Sequence, residues 1–230
     1  MKIRMRVVGI SDVHGHTEKL STMVDYFSQG DVVLISGDLT NFGHEFQASN
    51  VISIVKMKNK NVFAVHGNCD YPDVRFFLEK EGVSLHGRIV EYEGIIFTGI
   101  GGSLPCPGRT PNEYAESEIE NILNGIAEKI PSGSKVVFVT HEPPYDTMCD
   151  LTRAGQHVGS RAVRDFIEKV RPLLVVCGHI HESRAIDEIG ETKIVNPGPI
   201  IDGVYMLSEI KGVLKSVKLI KGEKVITGEY

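Results

Sequence analysis

Met5-Arg6-Val7-Val8-Gly9-Ile10-Ser11-Asp12-Val13-His14 is the stretch from which the rest of the chain can be read. Apart from Arg6, its first half is an unbroken apolar run rich in valine and isoleucine. A run without polar alternation suits a strand covered on both faces. It gives way at once to Asp12 and His14, two residues that can ligate a metal. The same order recurs four times. Residues 32–35 lead into Ser36-Gly37-Asp38, and Val62–Val65 into His66-Gly67-Asn68-Cys69-Asp70. Residues 136–139 lead into Thr140-His141-Glu142, and 173–176 into Cys177-Gly178-His179-Ile180-His181. Buried strands with metal-capable residues just past their carboxyl ends describe an α/β sheet with its site at those ends.

Helical stripes lie between the strands. Leu20, Met23, Val24 and Phe27 are spaced i, i+3, i+4, i+7, as are Val163, Phe166, Ile167 and Val170. A longer stripe, Ile119, Ile122, Leu123, Ile126 and Ile130, predicts a helix that starts at Thr110 as N-cap. Pro111 would take its first position and Glu113 would close a capping box. Ile89–Tyr92 and Ile95–Ile100, joined at Glu93-Gly94, predict a hairpin. Residues 185–189, 193–195, 203–207, 213–219 and 225–227 predict a run of short strands. The loop 101–109 is rich in Gly and Pro and reads as a surface connection. With no internal repeat or linker, the chain reads as one α/β domain over 1–230, with two packed strand layers and helices outside.

Composition narrows the function. The 230 residues carry 25 Lys+Arg against 30 Asp+Glu, a net charge of −5. That balance excludes a polyanion-coating protein and a polybasic membrane binder. Hydrophobic residues at 41% and charged residues at 24% mark a globular chain. Cys69, Cys106, Cys149 and Cys177 form no Cys-x-x-Cys pair and no zinc-finger spacing. The start, Met1-Lys2-Ile3-Arg4-Met5-Arg6, lacks the apolar stretch of a signal peptide, and no apolar run reaches the roughly 18 residues of a membrane span. The reading is a cytoplasmic protein without a membrane partner.

The spacing of the polar residues points to metal chemistry. Asp12-x-His14 and His179-x-His181 are i, i+2 pairs, and on extended chain both members point the same way. Gly37, Gly67 and Gly178 precede their ligands and allow close backbone approach. Asp12, His14, Asp38, Asn68, His141, His179 and His181 are more ligands than one ion needs, but they suit two ions that share a carboxylate. Mixed imidazole and carboxylate donors favour Mn²⁺, Fe or Zn²⁺ over Ca²⁺ or Mg²⁺.

With these motifs in this order, the sequence resembles the calcineurin-like metallophosphoesterases. The family pattern of Asp-x-His, Gly-Asp, Gly-Asn-His-Asp/Glu, a lone His and Gly-His-x-His is matched from residue 12 to 181. The resemblance implies a four-layer αββα sandwich. It implies Asp12, His14 and His181 on a first metal, Asn68, His141 and His179 on a second, and Asp38 bridging. Two divalent ions are implied, Mn²⁺ first, with Fe, Zn²⁺ or Ni²⁺ as alternatives. Asp38, Asn68 and His141 would form the catalytic centre, where a metal-bridging hydroxide attacks a phosphoester. Small nucleotide-like phosphodiesters are the first choice of substrate, and a broad phosphomonoesterase is the second. A non-enzymatic protein-binding scaffold on the same fold is a third reading, against which the complete ligand set argues. Nucleic acid is not expected as a partner, because no large basic surface is visible; the oligomeric state is left open.

The pattern departs at one position. Cys69 stands where many members carry a His that assists the leaving group. A thiol is a poor general acid at neutral pH, so Cys69 reads as a packing residue. Asn68, His16 (two residues past His14) and His157 (in the polar loop 145–160 with Arg153) are candidate substrate contacts. His66 reads as structural.

Overall fold

The first strands form where the apolar runs predict. In a computed structural model that describes residues 4–227, β1 (Met5–Ile10), β2 (Val32–Ser36) and β3 (Val62–Val65) pair in parallel. Met1-Lys2-Ile3, part of the expected leaderless start, lies outside the described residues. Three C-terminal strands extend this sheet from β1: β10 (Val204–Ile210), β11 (Leu214–Lys221) and β12 (Lys224–Thr227), all antiparallel.

The second sheet runs in the order β4 (Ile89–Tyr92), β5 (Ile95–Ile100), β6 (Val136–Thr140), β7 (Leu174–Val176), β9 (Thr192–Asn196) and β8 (Ala185–Ile189). The β4–β5 hairpin turns at Glu93 and Gly94, both at positive φ (51° and 74°), the geometry of a type I′ turn.

The side chains explain why there are four layers. Alternate strand residues point to opposite faces. In β1, Met5 and Val7 face the second sheet, while Val8 and Ile10 face helices. In β2, Val32 and Leu34 face inward, and Val33 and Ile35 face outward. From the other side Val137, Val139, Leu174 and Val176 fill the space between the sheets, and Phe138 and Val175 face α5 (Glu116–Ala127) and α6 (Arg161–Val170). The helices over the first sheet are α1 (Thr17–Ser21), α2 (Val24–Phe27), α3 (Glu45–Lys56) and α4 (Pro72–Lys80). Three apolar layers therefore separate four structural ones, in an αββα sandwich. Each fully buried aliphatic side chain in them contributes about 1.5–3 kcal/mol.

Two helix expectations need correction. The 20–27 stripe is split into α1 and α2, because the Thr22 hydroxyl bonds back to the Lys19 carbonyl at 2.7 Å and the chain turns there. The long stripe does not begin its helix at Thr110 but at Glu116. Backbone groups between them are already committed elsewhere: Asn112 N–H to the Asn68 carbonyl (3.1 Å) and Tyr114 N–H to the Ser103 carbonyl (2.8 Å). Tertiary bonds override the local helix signal. The helices α3 and α4 lie where the sequence reading placed none, although Ala48, Val51, Ile52 and Val55 carry a helical stripe.

Candidate metal centre

The carboxyl ends of β1, β2, β3, β6 and β7 meet at one edge of the sandwich. Their loops are tied together before any side chain is considered. Asp12 N–H donates to the Gly37 carbonyl (3.2 Å), His14 N–H to the Asp38 carbonyl (2.8 Å) and Gly178 N–H to the His141 carbonyl (3.1 Å). Asp12, His14, Asp38 and His179 all have positive φ (51°, 45°, 48° and 69°). Non-glycine residues adopt this region at a cost of about 1–3 kcal/mol each, and such strain gathers at functional sites. The three motif glycines each abut a side chain from another ligand loop. A Cβ on Gly37 would meet His141 Nδ1 at 2.3 Å, one on Gly67 Asp38 Oδ1 at 2.0 Å, and one on Gly178 Ser11 Oγ at 1.8 Å.

Two clusters of donor atoms result, with Asp38 between them. In the first, His14 Nε2 lies 3.1 Å from His181 Nε2 and 3.4 Å from Asp38 Oδ2, and His181 Nε2 lies 3.3 Å from Asp12 Oδ1. In the second, His141 Nε2 lies 2.8 Å from Asn68 Oδ1 and 3.5 Å from Asp38 Oδ1. Asp12, Asp38 and His141 are buried, and their candidate ligand atoms lie within 4.8 Å of one another. His179 donates its backbone N–H to both Asp12 oxygens (3.2 Å each) and sets its ring 5.1 Å from that of His141. Its Nε2 faces Cys106 Sγ (3.5 Å) and Glu142 Oε2 (3.9 Å).

The donor chemistry fits a cation. His141 Nδ1 donates to the Ser36 carbonyl at 2.8 Å, so a neutral ring turns its Nε2 lone pair toward Asn68 Oδ1 and Asp38 Oδ1. With Asn68 Oδ1 turned this way three acceptors converge, an arrangement that a cation reconciles. Burial alone would lower the His141 pKa, yet the Asp38 carboxylate raises it to about 10. The pocket therefore draws positive charge onto an imidazole that is fully buried. Asp12 is held below the ordinary carboxylate range: burial opposes this most strongly, and the His181 hydrogen bond together with the His141 and His181 charges outweighs it.

Sequence reasoning did not single out several supporting side chains. Asp70 turns inward and accepts from Gly67 N–H (2.8 Å), Leu39 N–H (3.1 Å) and Thr40 N–H (2.8 Å), stapling the two ligand loops together. The Gly-Asn-Cys-Asp motif was its signal. The Cys69 thiol lies in one candidate ligand-atom cluster with His14 and Asp38. Burial and the Asp38 charge push that thiol well above its ordinary range, so it is neutral. His16 opens onto a cleft of about 460 Å³ shared with Lys19 and Ile201. Both His157 ring nitrogens face carboxylates, Nδ1 toward Asp150 (2.7 Å) and Nε2 toward Asp146 (3.7 Å).

His66, read as structural from its sequence position, is packed inside the fold. It is fully buried, its Nε2 lies 3.3 Å from the Tyr114 hydroxyl, and its ring packs 4.7 Å from that of His86. Burial first, then the Arg75 charge, lowers the His86 pKa from 6.5 to about 4. The unfolded chain takes up that proton near 6.5 and the fold resists it to about 4. The native state should thus lose about 3 kcal/mol as pH falls through this window, with no such loss above it. His86→Gln keeps an acceptor for Gly101 N–H, which now bonds His86 Nδ1 at 2.9 Å. Urea unfolding of chelator-treated protein should show a shallower acid slope in the variant; equal slopes would exclude His86 as the source.

Fold and site together define an α/β sandwich with a candidate metal centre at its strand ends. The sequence model of the calcineurin-like phosphoesterases matches residues 5–183, and the chain belongs to that family. It is 39% identical over 208 residues to an uncharacterized protein of Methanocaldococcus jannaschii, covering 87% of this chain and 91% of that one. A UPF0046 protein of Caenorhabditis elegans is 27% identical over 218 residues, covering 84% and 74%. Among solved structures, TT1561 of Thermus thermophilus superposes with a TM-score of 0.75 at 18% identity, over 95% of this chain and 99% of that one. A dimetal phosphatase from Danio rerio gives 0.64 at 12% identity, over 97% and 99%. At these identities the solved structures establish the fold alone. No helix among the described residues is long and apolar enough to cross a membrane.

Proposed function

We propose that the chain is a dinuclear metal-dependent phosphoesterase that hydrolyses small, nucleotide-like phosphodiesters. The carrying observation is Asp38, whose two oxygens face different donor clusters, Oδ2 toward His14 and Oδ1 toward His141. Asp12, His14 and His181 would hold one divalent ion, and Asn68, His141 and His179 the other. Bound there, two ions would supply Lewis-acid stabilisation of phosphoryl charge and lower the pKa of water.

The protein's own residues set the rest. With only Asp12 and Asp38 charged among the ligands, a site holding two divalent ions stays cationic and attracts a phosphate. The His181 side chain is 45% exposed and marks the solvent side from which a substrate enters. His16 would contact the substrate from the cleft it lines with Gly15, Lys19 and Ile201, next in sequence to His14.

The test is chelator-stripped protein reloaded with Mn²⁺ and assayed on an aryl phosphodiester and the matching monoester. Faster diester turnover is expected. Faster monoester turnover would favour the broad monoesterase, and no turnover with two ions bound would favour the scaffold.

Cys69 sets a further expectation. Its neutral thiol does not protonate a leaving group efficiently, so aryl esters should be cleaved well and alkyl esters poorly. Cys69→His should narrow that gap, by up to the roughly 100-fold that a positioned acid contributes. Unchanged rates on both esters would remove the thiol from the account.

A further inference from the structure

Asparagine is an ambiguous ligand, because its amide has an oxygen end that binds cations and a nitrogen end that does not, of nearly equal size. Something must decide which end of Asn68 faces the centre. His141 does not, because with Nδ1 bonded to the Ser36 carbonyl its Nε2 accepts in the neutral ring and donates in the protonated one. On the other side, Asn68 Nδ2 donates to Thr110 Oγ1 at 3.0 Å. Thr110 can receive that bond because its own hydroxyl proton goes to Glu113 Oε1 at 2.8 Å. Glu113 Oε1 also accepts from Thr110 N–H (2.7 Å) and Cys106 N–H (3.1 Å), which fixes the carboxylate in place. The chain of bonds has one direction, from amide N–H to hydroxyl to carboxylate, and it leaves Oδ1 pointing at the centre.

We infer that Thr110 and Glu113 are positioning residues that hold the Asn68 amide in its ligating orientation. The inference rests on the dinuclear reading of the site. A flipped amide would set Oδ1 against the lone pairs of Thr110 Oγ1 and leave Nδ2 facing the cation position. The same segment also grips the loop backbone: Asn112 N–H donates to the Asn68 carbonyl (3.1 Å), Asn112 Nδ2 to the Asp70 carbonyl, and Gly102 N–H to the His66 carbonyl (2.9 Å). The Thr110-x-x-Glu113 pattern, which reads locally as a helix start, is thus spent on the site. Partners of this kind behind a metal ligand are typically worth about 10–100-fold in metal affinity.

The experiment is calorimetric titration of the chelator-stripped full chain with Mn²⁺, for wild type, Thr110→Val, Thr110→Ser and Glu113→Ala. Thr110→Val keeps the shape and removes the acceptor. It should weaken one of two binding events about 10–100-fold and leave the other in place. Thr110→Ser restores the hydroxyl and should restore the affinity. Glu113→Ala should weaken the same event as Thr110→Val, and it carries the test alone if thermal melting shows Thr110→Val to be misfolded. Two unchanged binding events in Thr110→Val, or equal losses in Val and Ser, would overturn the inference. Wild type that takes up fewer than two ions would overturn the dinuclear reading itself.

Discussion

Asp38→Asn should abolish measurable phosphoesterase activity while the stripped protein still folds. The expected drop is at least about 1,000-fold, equivalent to about 4 kcal/mol of barrier. The geometry is the reason. Oδ2 lies 3.4 Å from His14 Nε2, and Oδ1 lies 3.5 Å from His141 Nε2 while accepting Cys69 N–H at 2.8 Å. An amide has one oxygen, so it can serve one cluster or the other. If the oxygen keeps the Cys69 bond, the nitrogen faces His14, and that cluster gains a donor where an acceptor is needed. The site also loses one of its two carboxylates. Burial works against ionisation of Asp38, but the His141 charge and hydrogen bond hold its pKa far below the ordinary range. In the stripped protein that ion pair keeps a buried charge satisfied, and asparagine can still accept from Cys69. Wild type should melt higher when loaded with Mn²⁺ than when stripped, since a ligand at 100 times its Kd adds about 2.7 kcal/mol. In Asp38→Asn that difference should shrink or vanish. A variant that keeps both the metal-dependent rise in melting temperature and the activity would remove Asp38 from the bridging position.

The residues that were legible from sequence alone are those whose signal is local. Five apolar runs became β1, β2, β3, β6 and β7, because a strand buried on both faces leaves no polar alternation to misread. Asp12, His14, Asp38, Asn68, His141 and His181 stood out because each ends such a run or follows within a few residues, and the structure brings their candidate donor atoms together. What escaped is non-local. Thr110 and Glu113 carry a real pairing signal, but its meaning depends on Asn68 and Asn112, which meet only in the fold. Asp70 looked like the tail of a motif, and only tertiary structure shows it turned inward to three backbone amides. His179 carried the same sequence signal, but the atoms its Nε2 faces, Cys106 Sγ and Glu142 Oε2, come from distant loops. The break at Thr22 was local but subtle, because one hydroxyl chose a carbonyl three residues back.

Gly67→Ala tests the site by a route that leaves every ligand in place. A Cβ there would lie 2.0 Å from Asp38 Oδ1 and 2.2 Å from Asp38 N. The first atom belongs to the proposed bridge and the second to backbone, so no flexible side chain can swing aside. Gly67 is not among the glycines with positive φ, which makes the clash steric rather than conformational. The β2 and β3 loops must approach this closely because Cys69 N–H reaches Asp38 Oδ1, and Gly67 N–H reaches Asp70, which in turn holds Leu39 and Thr40. One methyl group should therefore push the loops apart, cost about 1–3 kcal/mol of stability as overpacking does, and move Asp38 off both clusters. Activity should fall nearly as far as in Asp38→Asn. Gly15→Ala is the control. Gly15 sits beside His14 at a φ of 68°, yet nothing lies within 4 Å of its added Cβ. That substitution should cost about 1 kcal/mol of backbone strain and leave the donor clusters intact. If Gly67→Ala and Gly15→Ala lost equal activity, close approach of the two loops would not be what holds Asp38 between the clusters.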